Sequence, residues 1–486
     1  MAKNLGVPGC PGCEQLSAIV EELRAEVKEL RAEVRSLRSE AAKLRSEADE
    51  LRAQLGLTSR NSHKPPSSDL YGSPKPKKEK GKRRRGGQPG HEGKSRDLMP
   101  VEAVDDVVDC KAAICSGCNA ALTDADPDPM RFQVTEIPQL SGHVTEYRLH
   151  VIECACGTVN SGSLPPGVQD SSFGPRLQAA ISVLTGAYRL SKRNTQAILQ
   201  DLFGIEIALG SVCNTEKVMS AALAEPVEEA REHVRDQGVV HADETGFRQE
   251  GKKVWLWNAV AGMVAVYAIR ASRGSKIAKE LLGEPFSGIA VTDRWSAYTW
   301  MPVKRRQLCW AHLIRDFRKI EESGRKTAWI GEQLGEIAET LFEYWYRVRD
   351  GTLARSTFRN YAGELRKELQ GLLSHGAALA DVDARTAAVC KELEKLEPAM
   401  WTFVRREGVE PTNNTAERAL RHAVIWRKTS FGTQSVDGSR YVERILSAVS
   451  TLRMQGRNVL EFLVEARQAA IHGRVAPSLL PIKVSK

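Results

Sequence analysis

The spacing of hydrophobic positions changes several times along the chain, and each change marks a different kind of element. Leucine recurs at 16, 23, 30, 37, 44 and 51 in a strict seven-residue step, and Val20, Val27, Val34, Ala41, Ala48 and Leu55 form a second seam. With Val20 at a and Leu23 at d, Arg24, Arg31, Arg38, Arg45 and Arg52 occupy e, while Glu26, Glu33, Glu40 and Glu47 occupy g. This pattern predicts a parallel coiled coil over 14–57. Val at a with Leu at d favours two strands, and each g Glu faces an e Arg of the other chain. The expected partner is a second copy, giving a homodimer or higher oligomer. Cys10 and Cys13, just before the helix, are assigned no role.

Periodicity vanishes over 58–100, where Lys64-Pro65-Pro66-Ser67-Ser68-Asp69 and a Pro/Lys/Arg run cannot bury a core; this is a disordered basic linker. Residues 101–170 read as a small module with strands near Met130–Glu136 and Thr145–Glu153. Helical spacing returns over 171–225. Gly174-Pro175 opens one helix, Ser191 caps a second over Lys192–Phe203 that Gly204 ends, and Ser211 caps a third over Val212–Met219. A helix, a short glycine turn and a capped helix fit a helix-turn-helix, with Asn214, Thr215 and Lys217 facing DNA and Lys192 and Arg193 beside it. From 238 the pattern becomes strand-like: Val239–Gly246, Lys253–Val260, Met263–Ala271, a helix over Ser275–Leu282, then a buried strand over Ser287–Asp293. About Arg315–Phe403 is helical and reads as an insertion into this 238–463 sheet domain, and 464–486 reads as a tail. The fold class expected is multidomain α+β.

Composition sharpens this picture in three places. The 486 residues carry 70 Lys+Arg against 61 Asp+Glu, a formal charge of +9. The excess is concentrated: eight of the eleven residues from Lys75 to Arg85 are basic. Lys77, Lys78, Lys80, Lys82, Arg83, Arg84 and Arg85 would bind phosphates without reading bases. The longest apolar run, near Ala259–Ile269, is far short of the roughly 20 residues of a membrane span. The N-terminus has no apolar signal core, so a cytoplasmic location is expected. Ten cysteines, several closely paired in sequence, favour metal over disulfides. Cys115-x2-Cys118 and Cys154-x-Cys156 would make a closed structural zinc site if their four thiolates converge. Cys110 is an alternative ligand, and reduced, packed cysteines are the plain alternative.

Candidate chemistry lies in the sheet domain. Asp243 and Asp293 both end apolar strands, a poor position for an acid unless it meets a cation or donors. Strand alternation sends Asp243 and Glu244 to opposite faces, so only one joins a shared site; Asp243 is taken for it and Glu244 as a flank contact. A third acid, Glu417, projects from an early turn of a helix that Thr412 or Asn413 can cap. His312 either contacts a substrate phosphate, orders the site or packs beside Trp310. Trp255, Trp257 and Trp295 read as core rather than stacking platforms.

Several segments together resemble the insertion-sequence-66 family of transposases over essentially the whole chain. They are the zipper, Lys64–Asp69, Gly86–Gly93, the cysteine pairs, His241–Phe247, Thr292–Tyr298, Gln307–Phe317, Asn413–Arg421, Arg427–Ser435 and Gly456–Leu463. The resemblance implies a ribonuclease-H-like catalytic core with an Asp–Asp–Glu triad, which falls on Asp243, Asp293 and Glu417. It also implies a role for Cys309-Trp310-Ala311-His312. The Cys-x-Cys spacing at 154–156 departs from the commoner pair. Three carboxylates can hold two Mg²⁺ or Mn²⁺ ions about 4 Å apart, which stabilise both oxygens of an in-line phosphoryl displacement. By the same resemblance Asp243 bridges the ions, Asp293 and Glu417 each anchor one, and accessory proteins of the element act with the chain. The reaction implied is strand cleavage at the element's ends, then attack of the freed 3′-hydroxyl on target DNA. Arg418, Arg421, Arg427 and Lys428 would hold the backbone. The competing readings are a dimeric zinc and helix-turn-helix regulator without activity, and a ribonuclease-H-like nuclease that does not join.

Overall fold

The structure is a computed structural model that describes residues 11–55, 97–123, 126–169 and 171–482. The basic run from Lys75 to Arg85, with Lys77, Lys78, Lys82, Arg83, Arg84 and Arg85, lies outside the described residues, as do Lys64–Asp69 and Gly86–Gly93. The chain divides into two units. One comprises Met1–Tyr71, Pro165–Ser191 and Val212–Lys486; the other comprises Gly72–Leu164 and Lys192–Ser211.

Helix α1, Pro11–Leu55, is continuous, as the heptads require. Its seams stay uncovered: Leu16, Val20, Leu23, Val27, Leu30, Val34, Leu37 and Leu44 are 40–66% exposed. A strict apolar stripe left open to water is the surface a coiled-coil partner covers.

In the smaller unit β1 (Val151–Glu153) and β2 (Val159–Ser161) pair antiparallel as a hairpin. Cys154 to Gly157 form its turn: Cys154 N–H donates to Thr158 O (2.9 Å), Gly157 N–H donates to Cys154 O (2.8 Å), and Gly157 takes a positive φ of 82°. The expected strand over Thr145–Glu153 shrinks to its last three residues, and Met130–Glu136 forms no strand, because neither finds a longer partner.

In the larger unit α2 (Pro175–Ser182) begins with proline in its first turn. Helix α3 (Lys192–Phe203) belongs to the smaller unit, and α4 (Leu209–Ala222) starts two residues before the expected Ser211. Residues 171–225 are therefore divided between units rather than standing as a separate module. Thr215 is 3% exposed, so unlike Asn214 and Lys217 it does not face solvent.

The central sheet follows α5 (Ala224–Arg235). Its strands are β3 (Val239–Gln249), β4 (Lys252–Ala261), β5 (Val264–Arg270), β6 (Ile289–Thr292) and β7 (Arg306–Leu308), in the order β5-β4-β3-β6-β7. The first three form an antiparallel meander; β6 and β7 join parallel to β3, with α6 (Ser275–Leu282) in the crossover. β7 had no sequence signal, since three residues that include Arg306 and Gln307 do not read as a buried strand, yet both are fully buried.

The helical insertion consists of α7 (Trp310–Glu321), α8 (Ala328–Arg349), α9 (Arg355–Ala378), α10 (Ala384–Met400) and α11 (Thr402–Arg405). It has its own core around Trp310, Phe317, Trp345, Phe358, Trp401 and Phe403. The chain then returns as α12 (Asn414–Ser430), α13 (Val436–Met454) and α14 (Val459–Ile471). An edge strand offers unpaired N–H groups at every second residue. Along β5 these are Ala265, Tyr267 and Ile269, and they donate to Thr451 Oγ1 (3.0 Å), Ser447 Oγ (3.0 Å) and Glu443 Oε1 (2.5 Å) of α13. Two strand residues span about 6.7 Å and four helix residues about 6 Å, so acceptors spaced by four match donors spaced by two. The expected tail is folded: α14 runs to Ile471, with Val464, Ala466 and Ala469 buried, and Leu479 is fully buried. Among the described residues no helix is long and apolar enough to cross a membrane.

Candidate active site

Two of the three acids are set by parallel pairing. Val240 stands against Ala290 and His241 against Val291. Two residues further along each strand, this register brings Asp243 on β3 level with Asp293, the residue that follows β6. Adjacent strands are about 4.8 Å apart.

Glu417 arrives on α12, and hydrogen bonds tie the start of that helix to both strands. Asn413 Nδ2 donates to Ala242 O (2.8 Å), the carbonyl before Asp243, and Asn413 Oδ1 lies 3.3 Å from His241 Nδ1. Asn258, opposite Asp243 on β4, donates to Ala416 O (2.9 Å). Asn413 N–H donates to Cys309 Sγ (3.2 Å), Cys309 N–H to Thr292 O (2.9 Å) beside Asp293, and Trp310 N–H to Pro411 O (3.0 Å). Asn413 sits at the expected cap position but makes no side-chain cap; its amide is directed to β3 instead.

The electrostatics follow from this convergence. Burial pushes the Asp243 carboxyl well above the ordinary carboxylate range, and the charges of Glu244, Asp293 and Glu417 push it further; only the Glu244 N–H, at 2.9 Å, opposes them. Glu417 is raised by burial and by Asp293, against Arg315, and its Oε1 is buried without a hydrogen-bond partner. The carboxylate of Glu244, the next residue on β3, meets Arg273 (2.7 Å) and the Tyr298 hydroxyl (2.9 Å), and burial with the Asp293 charge pushes it to about 7. Arg273 also stands 4.0 Å from Asp293 Oδ2, and its guanidinium lies over the rings of Trp295 (3.9 Å) and Trp255 (4.8 Å). Trp295 N–H donates to Asp293 Oδ1 (2.9 Å). Of the three tryptophans, Trp257 is core, edge-on to Tyr298, whereas Trp295 is exposed at the rim. Arg273, Tyr298 and the bridging role of Asn413 were not foreseen; an arginine in the Ser272–Gly274 connection carries no local signal.

His312 Nδ1 lies 3.6 Å from Glu417 Oε1, and the ligating atoms of Cys309, His312 and Glu417 all fall within 4.8 Å of one another. Burial pushes the Cys309 thiol to about 12, so it remains a neutral acceptor for the Asn413 N–H. The zinc candidates gather as pairs. Cys115 lies beside Cys118, and Cys156 beside Cys154, with hydrogen bonds lowering the Cys115 and Cys156 thiols. Among the described residues the two pairs do not share a common ligand cluster; each is held in its own tight turn.

The basic candidates divide. Arg193, Asn214, Lys217, Arg418, Arg421 and Lys428 are exposed and Lys192 half-buried. Arg427 turns onto β3 instead, donating to Thr245 Oγ1 (3.1 Å) and to Gly246 O, so it braces the strand that carries Asp243.

The model of the family described as "Transposase IS66 family" matches residues 170–441, and that of a family of unknown function, DUF6444, matches residues 11–97. An uncharacterized protein, y4qI, of Sinorhizobium fredii (strain NBRC 101917 / NGR234) is 25% identical over 401 residues, 75% of this chain and 71% of the relative.

Proposed function

Because the chain belongs to the IS66 transposase family, we propose that it cleaves DNA at the ends of an insertion sequence and joins the freed 3′-hydroxyl to target DNA, with Asp243, Asp293 and Glu417 holding divalent metal ions. The observation that carries this reading is convergence: the β3–β6 register sets Asp243 level with Asp293, and Asn413 and Asn258 tie the start of the Glu417 helix to the strands beside Asp243. Acids so placed are poorly compensated by protein cations alone, and a hard oxygen donor set suits Mg²⁺ or Mn²⁺. The sheet order, an antiparallel meander extended by two parallel strands, supports a ribonuclease-H-like core.

When bound, the ions would stabilise the attacking and leaving oxygens of an in-line displacement at phosphorus. The chain's own residues prepare that site. The Trp295 N–H fixes the Asp293 rotamer, Asn413 and Asn258 hold the Glu417 helix against β3, and Arg273 balances Asp293 and Glu244. His312 is set beside Glu417, where it orders that carboxylate or meets the substrate phosphate.

The remaining parts take supporting roles in the same reading. The open seam of α1 pairs with that of a second copy. Asn214 and Lys217 on α4, with Arg193 and the basic run from Lys75 to Arg85, contact DNA. A zinc ion draws Cys115, Cys118, Cys154 and Cys156 together.

The test is Asp243→Asn with DNA carrying the element's ends, a target plasmid and Mg²⁺. The unaltered chain yields cleaved and joined products; the variant binds DNA and yields neither. Cleavage by the variant would refute the triad. Cleavage without joining by the unaltered chain would reduce the activity to that of a nuclease.

A further inference from the structure

We propose that Arg189, Arg421, His422 and Arg453 form a phosphodiester-binding site that grips the DNA backbone one helical turn from Glu417. The inference rests on the reading that DNA is the substrate, and it names where one stretch of backbone is held.

Among the described residues some part-buried arginines meet acids, as Arg270 does Glu280 and Glu443, Arg294 Asp316 and Glu392, and Arg366 Glu397, and others are held by backbone or amide oxygens, as Arg427 is by Gly246 O and Arg467 by Gln178 and Gln169. Among the described residues this cluster has neither kind of partner. Arg189 Nη1 lies 3.2 Å from His422 Nδ1, and Arg189 Nε is buried with no hydrogen-bond partner. The contact makes Nδ1 the acceptor, so His422 is neutral and carries its proton on Nε2. Arg453 stands over the ring of Tyr188, 5.7 Å from its centroid, and that ring is 59% exposed. Among the described residues no carboxylate pairs with Arg189, Arg421 or Arg453.

The charges acting on these groups are of one sign. Arg189 is lowered by burial and by Arg453, and His422 by burial and by Arg189, Arg453 and Arg421. The backbone adds to the strain: Arg189 has a φ of 60°, a left-handed conformation that costs an L residue energy. Three guanidiniums and an imidazole gathered without an acid repel one another, and an anion that joins them relieves that repulsion. The Arg189 Nε–H is a buried donor left open, as those of Arg235, Arg306 and Arg355 are, but here it stands among other cations, where an anion would satisfy it.

Position selects the anion. Arg421 and His422 follow Glu417 on α12 by four and five residues, about 6–7.5 Å of rise. Arg421 therefore lies on the same helix face as Glu417. A backbone whose scissile phosphate reaches the triad would pass its neighbouring phosphates over this cluster, and planar guanidiniums bind phosphate oxygens in pairs.

The experiment is a salt titration of binding to a duplex carrying the element's end. It compares the unaltered chain, Arg421→Gln with Arg453→Gln, Arg189→Gly, and Arg349→Gln as a control. The first two positions are exposed, and glycine suits the left-handed turn, so folding is preserved. Each lost phosphate contact flattens the slope of log K against log salt by about 1. The double variant should lose about 2, Arg189→Gly about 1, and exposed Arg349 on α8 little. Methylphosphonates placed singly near the cleavage site should weaken the unaltered chain at positions where they no longer weaken the double variant. Steep binding by the unaltered chain with unchanged slopes in the variants would overturn this site and leave the DNA reading standing. So would an equal loss in Arg349→Gln, or an altered oligomeric state with an unchanged slope, which would assign the cluster to a carboxylate of a second copy. Salt-independent or absent binding by the unaltered chain would overturn both.

Discussion

Replacing Asp243 by asparagine should make the metal-free protein more stable, and increasingly so as pH rises. Asp243 is half-buried, its one hydrogen bond among the described residues is from the Glu244 N–H, and the charges that act on it are three carboxylates. Its folded pKa is therefore raised. Below the ordinary aspartate value, about 3.9, the group is protonated in both folded and unfolded chains and costs nothing. Between that value and the raised one, the unfolded chain releases its proton while the folded chain keeps it, so stability falls as pH rises. Above the raised value the cost is complete. Asparagine accepts the same hydrogen bond, offers donors to the neighbouring carboxylates and never ionises. A buried polar group short of partners costs about 1–3 kcal/mol. At about 2–4 °C per kcal/mol for domains of this class, the variant should melt about 2–12 °C higher at pH 8 in EDTA. The difference should shrink towards pH 5, and Mg²⁺ should stabilise the unaltered chain more than the variant, because a ligand that binds only the folded state adds to its stability. The assay is thermal unfolding across pH with EDTA or Mg²⁺. A variant less stable than the parent at pH 8 in EDTA, or a gap independent of pH, would refute the reasoning.

Asn413→Ala leaves the buried Ala242 carbonyl without its donor and frees the Glu417 helix. It should cost about 1–3 kcal/mol of stability and, through a misplacement on the order of 1 Å, about 100-fold in cleavage rate; unfolding and cleavage measured on the same preparation check this, and an unchanged rate per folded molecule would count against it. Leu23→Lys with Leu30→Lys places charge in the open seam of α1. Sedimentation should show a dimer becoming a monomer, and a parent that is already monomeric would refute the pairing. Cys115→Ser with Cys118→Ser should remove zinc from the purified chain by elemental analysis; a parent without zinc would leave the two pairs as plain reduced cysteines.

Much of the sheet was legible because its signals are local. β6 is an apolar run that leads into an acid, as is the start of β3, although β3 continues past Asp243 to Gln249 rather than ending there, and the meander is marked by Gly251 and Gly262 with positive φ at its turns. The α12 helix start was legible too, from its run of Thr and Asn. What was hidden depends on residues distant in sequence. β7 is defined by pairing with β6 rather than by its own polar residues. Asn413 reads as a cap from its neighbours, yet the fold brings it a better acceptor at Ala242. Arg427 looks like a surface cation until β3 lies beneath it. The cation cluster joins Arg189, three residues before α3, to α12 and α13, and no window of sequence contains all three. In the smaller unit the alternation over Met130–Glu136 suggested a strand, but a strand exists only where a second one pairs with it.

The central claim is that three acids far apart in sequence share one metal site. Fe²⁺ substituted for Mg²⁺, with ascorbate and peroxide, cuts polypeptide only beside the bound ion. Mapping the fragments of the full chain should give cuts near Asp243, Asp293 and Glu417 together, all suppressed by excess Mg²⁺ and all lost in Asp243→Asn. Cuts near the two aspartates with the region of Glu417 intact would contradict the account.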